Sequence, residues 1–181
     1  MILIPYIEMN GSWTIPDDIM IGLYRMMKND GTDRVFFYSG TVRNENEFMP
    51  ACRENAHTVV ILEESGRPVA IGWLNNYAHK SAHAHWLTFK HAWGTDKTHQ
   101  AIRETLKYWF HFEHDGEPVF EVLLGIYPSG NRHIDKFAKE SGFTVSGRVP
   151  SLLYDYWGNR SMDATISYIE RGAVWAISGR Q

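Results

Sequence analysis

Two histidines, His83 and His85, are the residues whose type and spacing most directly indicate proton transfer. They lie in the run Ala82–His91, whose alternation and aromatic residues predict a β-strand. Because residues two apart on a strand project from the same face, the two imidazoles would lie side by side. Histidine titrates near neutral pH and can take a proton from a reacting amine, directly or through water. The alternative is that both are half-buried polar residues of a sheet surface, and the sequence favours neither interpretation.

The same histidines invite a metal interpretation, because His-x-His on one strand face is a common ligand geometry. His79 and His91 lie nearby, but the stretch from Trp86 to His91 contains no carboxylate to complete such a site. Because that carboxylate is missing, no metal is expected. A metal-dependent, histidine-rich enzyme on another fold stays a competing hypothesis. Cys52, the only cysteine, lies in a predicted helix without a fixed histidine partner and is interpreted as a small core residue.

Asn131 is a third candidate because it stands where an apolar strand gives way to a helix. The run Val119–Tyr127 predicts the strand, and the run Asn131–Ser141 predicts the helix. Gly142 and Phe143 follow, and then a further β-like run begins. An asparagine at this joint can cap the helix through its side-chain oxygen.

This strand, loop and helix, with Gly142-Phe143 eleven positions after Asn131, resembles the second half of the GCN5-related N-acetyltransferase (GNAT) superfamily. The order of elements matches over roughly residues 58–171. The resemblance implies one α/β or α+β domain over residues 1–181, with a central mixed, mostly antiparallel sheet flanked by about four helices. Residues 58–171 would form a CoA-binding core, and residues 1–57 would supply helices on the acceptor side. The implied activity is direct transfer of acetyl from acetyl-CoA to a primary amine.

The resemblance also implies a cofactor site. Family members hold acetyl-CoA in a gap between two central strands, here Ala82–His91 and Val119–Tyr127, with the pyrophosphate at the amino end of the intervening helix. Asn131 matches the asparagine that hydrogen-bonds the pantetheine arm, whose amides need a donor and an acceptor. The other residues implied for cofactor binding are Phe89, Lys90, His91, Gly94, Thr95, Asp96, Lys97 and Thr98.

Two positions depart from the family pattern. Only Gly94 remains of the glycine-rich loop, and Gly94-Thr95-Asp96 alone could be a turn and helix cap. A tyrosine often stands seven residues after the asparagine as general acid to the leaving thiolate, and here that position is Ala138. Tyr127 is the nearest replacement, although a tyrosine at a strand end is more often a packing residue. A non-catalytic CoA-binding or interaction module on the same fold is therefore the alternative function.

The carboxyl-terminal part carries a second resemblance. Gly158, Arg160 and Asp163 have nearly the spacing of a hairpin found in family members that act on protein amino termini or other primary amines. An ordinary hairpin explains them equally well. The amino-terminal third is rich in aromatic residues, which suit either a partly apolar acceptor pocket or a core: Tyr6, Trp13, Tyr24, Phe36, Phe37 and Tyr38.

Composition narrows the function classes. A net charge of −3, a pI near 6.3 and 18 dispersed Lys and Arg residues disfavour nucleic-acid binding. One cysteine excludes an intrachain disulfide, and no run approaches the roughly 18 apolar residues of a membrane span. A cytoplasmic protein is expected. Its expected partners are acetyl-CoA and an amine whose identity the sequence does not reveal, and self-association as a homodimer is left open.

Periodicity and turn residues predict the remaining elements. An amphipathic helix over Thr98–Phe112 would pack on the sheet through Ile102, Leu106, Trp109 and Phe110. The others are a strand over 1–9, a helix over 16–27, a short helix from 44 to about 53, a hairpin over 58–63 and 68–76, a strand from 143 and a strand over 163–169.

Overall fold

A computed structural model describes residues 1–55 and 57–178. In chain order the elements are β1 (Ile2–Pro5), β2 (Glu8–Met9), β3 (Ser12–Trp13), α1 (Asp17–Asp30), α2 (Asp33–Phe36), α3 (Glu45–Glu54), β4 (Val59–Leu62), β5 (Pro68–Ala78), β6 (Ser81–Thr88), α4 (Asp96–Phe110), β7 (Glu113–His114), β8 (Glu117–Pro118), β9 (Val122–Pro128), α5 (Arg132–Glu140), β10 (Thr144–Asp155), β11 (Arg160–Glu170) and α6 (Arg171–Ser178). A 3₁₀ turn, Lys90–Ala92, precedes α4.

One sheet of seven strands has the order β1-β4-β5-β6-β9-β11-β10. Each neighbouring pair is antiparallel except β6 and β9, which run parallel. A parallel pair needs a crossover connection, and α4 lies in that connection. The predicted mixed, mostly antiparallel sheet is confirmed.

Helices cover both faces of this sheet. Leu23 of α1 and Phe48 of α3 pack with Trp73 of β5 in a first core cluster. Leu106 of α4 packs in a second cluster with Leu74 of β5. Trp73 and Leu74 are consecutive and enter different clusters because successive strand residues point to opposite faces. The predicted apolar stripe of α4 is confirmed, since its four residues are at most 2% exposed: Ile102, Leu106, Trp109 and Phe110.

Several predicted strands are too long; the strand predicted over Val119–Tyr127, for example, begins only at Val122. The strand predicted over residues 1–9 ends at Pro5, and Asn10-Gly11 then reverses the chain with positive φ at both residues, which forms the small β2–β3 hairpin. The strand predicted over Ala82–His91 ends at Thr88. There the Ala92 N–H donates to the Phe89 carbonyl, so the next residues turn instead of extending.

The described residues contain six α-helices where about four are predicted. The extra ones are α2, whose four residues are too few to show a helical period, and α6, which begins directly after β11 without a turn signal. In the described part of the chain, no helix combines the length and the apolar character that crossing a bilayer requires.

Candidate active site

A split in the centre of the sheet is the main feature of the candidate site. β6 and β9 pair over three residues only, and the last pair joins His83 to Leu124. Beyond it β6 stays paired with β5 as far as Thr88, and β9 stays paired with β11 as far as Pro128. Each strand therefore keeps its outer neighbour while the two central strands separate. Peptide groups along the split have no strand partner across it, so they are available to an extended ligand.

The amino end of α4 follows β6 and is open to a ligand. Its N-cap residue, Thr95, makes no side-chain hydrogen bond to the helix. The hydroxyls of Thr95 and Thr98 donate instead to the carbonyl of Ala92, at 2.7 and 2.6 Å. Gly94 precedes the cap at φ +68°, where a side chain would be strained. The first-turn N–H groups and the helix dipole therefore favour an anion at this end.

Charges around this helix end oppose that preference in part. Asp96 lies in the first turn and would repel a phosphate. The ammonium group of Lys97 lies 2.9 Å from a carboxylate oxygen of Glu63, so its charge is already paired. Any anion bound here depends mainly on the peptide N–H groups.

The predicted cofactor residues just before this loop belong to the 3₁₀ turn region. Phe89 is fully buried, and its N–H donates to the carbonyl of Val69 at 2.9 Å. The N–H of Lys90 donates to Asp30 at 3.3 Å. The ring of His91 stacks on Phe89, with centroids 6.5 Å apart. These contacts tie the turn to β5 and to the last residue of α1, and a cofactor role for the three residues stays a prediction.

Asn131 caps α5, as its position in the sequence predicts. Its Oδ1 accepts hydrogen bonds from the N–H groups of His133 and Ile134, at 3.1 and 3.3 Å. The cap engages only the oxygen, so the amide Nδ2 is left with two N–H donors. Capping and binding of a ligand carbonyl are therefore compatible.

His83 and His85 lie on one face of β6, but their hydrogen bonds differ. Nε2 of His85 lies 2.9 Å from Oδ1 of Asn75, which can only accept, so this bond assigns the proton to Nε2. Nδ1 of His85 then carries the free lone pair. Nδ1 of His83 lies 3.3 Å from Nδ2 of Asn76, which donates, so the lone pair of His83 is engaged. Of the two histidines, only His85 therefore has a ring-nitrogen lone pair that no described residue engages.

Burial keeps His85 neutral. Its ring stacks on Trp73, with centroids 5.7 Å apart and planes 22° from parallel. Desolvation, and to a smaller extent repulsion from His83, lowers the pKa of His85 to about 4. A base of such low pKa does not store a proton at neutral pH, but it can pass one on to water.

Tyr127 lies on the opposite face of the sheet from the two histidines. In register His83 faces Leu124, and Tyr127 is three residues further along β9, so its side chain points the other way. Its hydroxyl is buried and makes no hydrogen bond of normal geometry with the described residues. Burial, and then the nearby carboxylate of Asp135, raises the pKa of Tyr127 to about 12. The phenol is therefore protonated at neutral pH and can donate a hydrogen bond.

The other residues considered for chemistry have structural roles. Cys52 is buried in the first core cluster, as predicted, and desolvation raises the pKa of its thiol. Ala138 is buried on α5 and offers no acid. Within the described ranges, no three or more His, Cys, Asp or Glu side chains are grouped so that they could hold a metal.

A cavity of about 360 Å³ lies beside the end of β9, on the side of α2. Its apolar walls come from α2, β9, α5 and the β10–β11 hairpin: Val35, Pro128, Ile134, Trp157 and Met162. The tip of the hairpin is anchored to the residues after α2, because the N–H of Tyr156 donates to the carbonyl of Tyr38 at 2.7 Å and Nε1 of Trp157 donates to the carbonyl of Phe37 at 3.0 Å.

The polar lining of this cavity consists of Arg34, Tyr38, Asn131, Asp155 and Arg160. The guanidinium carbon of Arg34 lies 5.0 Å from the ring centre of Trp157. Asp155 accepts from the N–H of Gly158 at 3.0 Å and from Nε of Arg160 at 3.3 Å. Asn131 therefore belongs to the same cavity as two arginines that lie far from it in sequence.

Solved structures give the class of fold. Spermidine N-acetyltransferase from Vibrio cholerae, in complex with CoA and spermine, has a TM-score of 0.71 and 15% identity over 96% of this chain and 98% of that chain. A phosphinothricin acetyltransferase from Sinorhizobium meliloti in complex with AcCoA has a TM-score of 0.67 and 12% sequence identity, over 86% of this chain and 85% of that chain. Ribosomal-protein-S5-alanine acetyltransferase from Vibrio fischeri has a TM-score of 0.67 and 11% sequence identity, over 87% of this chain and 90% of that chain.

The chain therefore has the fold of the GNAT superfamily, as the sequence resemblance implies. No protein-family model matches the sequence, and no curated protein does either. At these identities the structural similarity defines the fold and leaves the substrate open.

Sequence reasoning missed most of the polar cavity lining. Phe36, Phe37 and Tyr38 stood out as aromatic, and the structure divides them: Phe37 is buried in the core, whereas Tyr38 lines the cavity. Arg34 carried no signal, because a single arginine in a short helix has the character of a surface residue. Only the docking of the distant β10–β11 hairpin makes Arg34 part of a cavity lining.

Proposed function

We propose that the protein is an N-acetyltransferase that uses acetyl-CoA and acetylates a primary amine. The split between β6 and β9, beside the uncapped amino end of α4, is the observation that carries this proposal. The split offers unpaired peptide groups to the pantetheine arm, and the helix end offers N–H groups to the pyrophosphate. Asn131 adds an amide donor at the end of β9.

The proposed reaction is direct. The neutral amine attacks the thioester carbonyl carbon, the C–S bond breaks, and CoA leaves as a thiolate that takes up a proton. Nδ1 of His85 passes the proton of the amine to water. Tyr127, on the other face of the sheet, donates a hydrogen bond to the thiolate. Because its pKa of about 12 exceeds that of an ordinary thiol, about 8.5, this hydrogen bond stabilises the thiolate more readily than it protonates it.

The acceptor would enter from the face that carries His85. The rings of Phe37 and Trp73 are stacked with centroids 6.0 Å apart, and Trp73 stacks in turn on His85. Residues around Phe37 line the cavity between α2 and the hairpin tip. We assign this cavity to the acceptor, in agreement with the expectation that residues 1–57 serve the acceptor side.

The test measures transfer of radiolabelled acetyl from acetyl-CoA to alkylamines, amino acids, polyamines and amino-terminal peptides, together with release of free thiol. Acetyl-CoA at 100 times its dissociation constant should also stabilise the fold by about 2.7 kcal/mol, because a ligand of the native state shifts unfolding by mass action. A raised melting temperature without transfer to any amine would favour the non-catalytic CoA-binding module. No shift at millimolar acetyl-CoA would reject the cofactor assignment.

His85→Gln and His83→Gln provide a matched pair of variants. Loss of the free lone pair at His85 should lower kcat by about 10²-fold, within the usual contribution of a proton-transfer group. His83→Gln should change kcat little, because its lone pair is engaged by Asn76. Equal losses in the two variants, or none in either, would reject His85 as the relay.

A further inference from the structure

The polar groups of the cavity between α2 and the hairpin tip are mostly hydrogen-bond donors. Arg34 and Arg160 carry guanidinium groups, which only donate. Asn131 has its oxygen engaged by the α5 cap, so its free polar atom is Nδ2. Burial raises the pKa of Tyr38, so its hydroxyl is protonated at neutral pH and can donate. A ligand group that fits this lining has several acceptor atoms.

The charges of the lining have the same consequence. Asp155 is the one carboxylate among the cavity residues, and both of its oxygens are engaged, by the Gly158 N–H and by Arg160. Arg34 forms no ion pair with a described residue, and its guanidinium group is exposed over the ring of Trp157. One positive charge is thus left uncompensated. A polyamine would meet net repulsion here, whereas an oxyanion would find two guanidinium groups suited to it.

We propose that this cavity selects amine acceptors that also carry a carboxylate or another oxyanion, held by Arg34 and Arg160. The proposal rests on the acetyl-transfer function and narrows its substrate class. The apolar walls would surround the carbon chain between the oxyanion and the amine. A volume of about 360 Å³ is at the small end of the usual range of ligand pockets, roughly 300–1,000 Å³, and suits an acceptor of amino-acid size.

The experiment compares amines with matched carbon chains that differ in the group at the far end of the chain. α- and ω-Amino acids of two to six carbons are tested against the alkylamine without the carboxylate and against the diamine. The best amino acid should exceed its matched alkylamine in kcat/KM by about 10- to 100-fold, the range of one charged hydrogen bond. Calorimetric titration of the same compounds into protein saturated with CoA should give the same order, independently of turnover.

Variants assign the preference to the two arginines. Arg34→Gln and Arg160→Gln should each reduce that advantage about tenfold or more, whereas the KM for acetyl-CoA should not change. Arg34→Glu should shift the preference towards the diamine. Arg132→Gln is the matched control, because Arg132 is exposed at the start of α5 and does not line the cavity.

The outcomes separate this proposal from the function on which it rests. Transfer to alkylamines or diamines with no gain from a carboxylate would overturn the selectivity and leave acetyl transfer intact. A raised KM for acetyl-CoA in Arg34→Gln, absent when dephospho-CoA is the carrier, would assign the cavity to the cofactor phosphate instead. If no amine is acetylated, the proposed function fails, and binding of amino acids in the calorimeter still supports or rejects the oxyanion site.

Discussion

Replacement of His85 by Gln should make the stability of the protein less sensitive to acid. In the folded state the pKa of His85 is lowered from 6.5 to about 4, mainly by burial. In the unfolded chain the imidazole is solvated and takes up its proton near pH 6.5. Between these values the unfolded state binds more protons, so the free energy of unfolding falls as the pH falls. The stabilisation is fully present above pH 6.5 and is lost progressively towards pH 4.

The size of the effect follows from the difference between the two pKa values. It amounts to about 3 kcal/mol over the whole interval. About 1 kcal/mol of this is lost between pH 7.5 and pH 5.5. Glutamine does not titrate, so His85→Gln removes this contribution. His57, His83 and His91 also have pKa values lowered mainly by burial, and they keep part of the acid sensitivity in the variant.

Urea unfolding at pH 7.5, 6.5 and 5.5 measures the effect. The wild type should lose about 1 kcal/mol more than His85→Gln between the first and the last pH. Comparison across pH cancels the constant cost of removing the ring from its stack on Trp73. His114→Gln is the control, because the His114 side chain is 87% exposed and its variant should follow the wild type. Equal pH slopes for wild type and His85→Gln would refute the claim that this ring is held neutral by burial.

Three further substitutions test the site. Asn131→Asp should keep the α5 cap but remove the Nδ2 donor, so the thermal stability of the protein should not change. Its affinity for acetyl-CoA, measured by calorimetry, should fall about 5- to 150-fold. An unchanged affinity would mean that Asn131 is only a helix cap. Tyr127→Phe should leave the stability of the protein nearly unchanged, because the buried hydroxyl has no hydrogen bond of normal geometry. The variant should have a lower kcat, and an unaltered kcat would remove Tyr127 from the mechanism. Gly40→Ala should cost roughly 1–3 kcal/mol in urea unfolding through its φ of +73°. Gly40→Ala should destabilise the protein more than Gly66→Ala does. A Cβ at Gly40 would lie 2.5 Å from Cγ of Tyr156 and displace the hairpin tip, whereas a Cβ at Gly66 would contact no other residue. Equal losses of stability in the two variants would mean that the clash is relieved without effect.

Local patterns were enough to predict the core of the fold. The apolar stripe of α4 reports which face packs on the sheet, and the asparagine before α5 reports where that helix begins, because both signals lie within a few residues of the feature. The parallel pairing of β6 with β9 has no such signal. The family resemblance implied only a mixed sheet with a gap between these two strands, and both their parallel pairing and the point where they separate became visible only in the pairing register.

The cavity could not have been predicted, because its residues come from distant parts of the chain. Arg34 belongs to α2 and Arg160 to β11, and they line one cavity because Tyr156 and Trp157 bond to the carbonyl groups after α2. Nothing local in either segment specifies that contact. The hairpin pattern around Gly158 predicted a turn, and the turn is present, but what the turn docks against depends on the whole fold.

The difference between His83 and His85 has a local cause that the sequence does not display. Regular alternation would point consecutive asparagines on β5 to opposite faces. Asn75 pairs with His83 and shares its face, so its oxygen can reach the neighbouring His85. The pairing of β5 with β6 is then irregular, and Asn76 has φ +49°, which turns its amide towards His83. A bulge thus gives one histidine an acceptor and the other a donor. Two histidines two residues apart on one face therefore differ in which ring nitrogen is free, and the register of the bulge determines which of them keeps an unengaged lone pair.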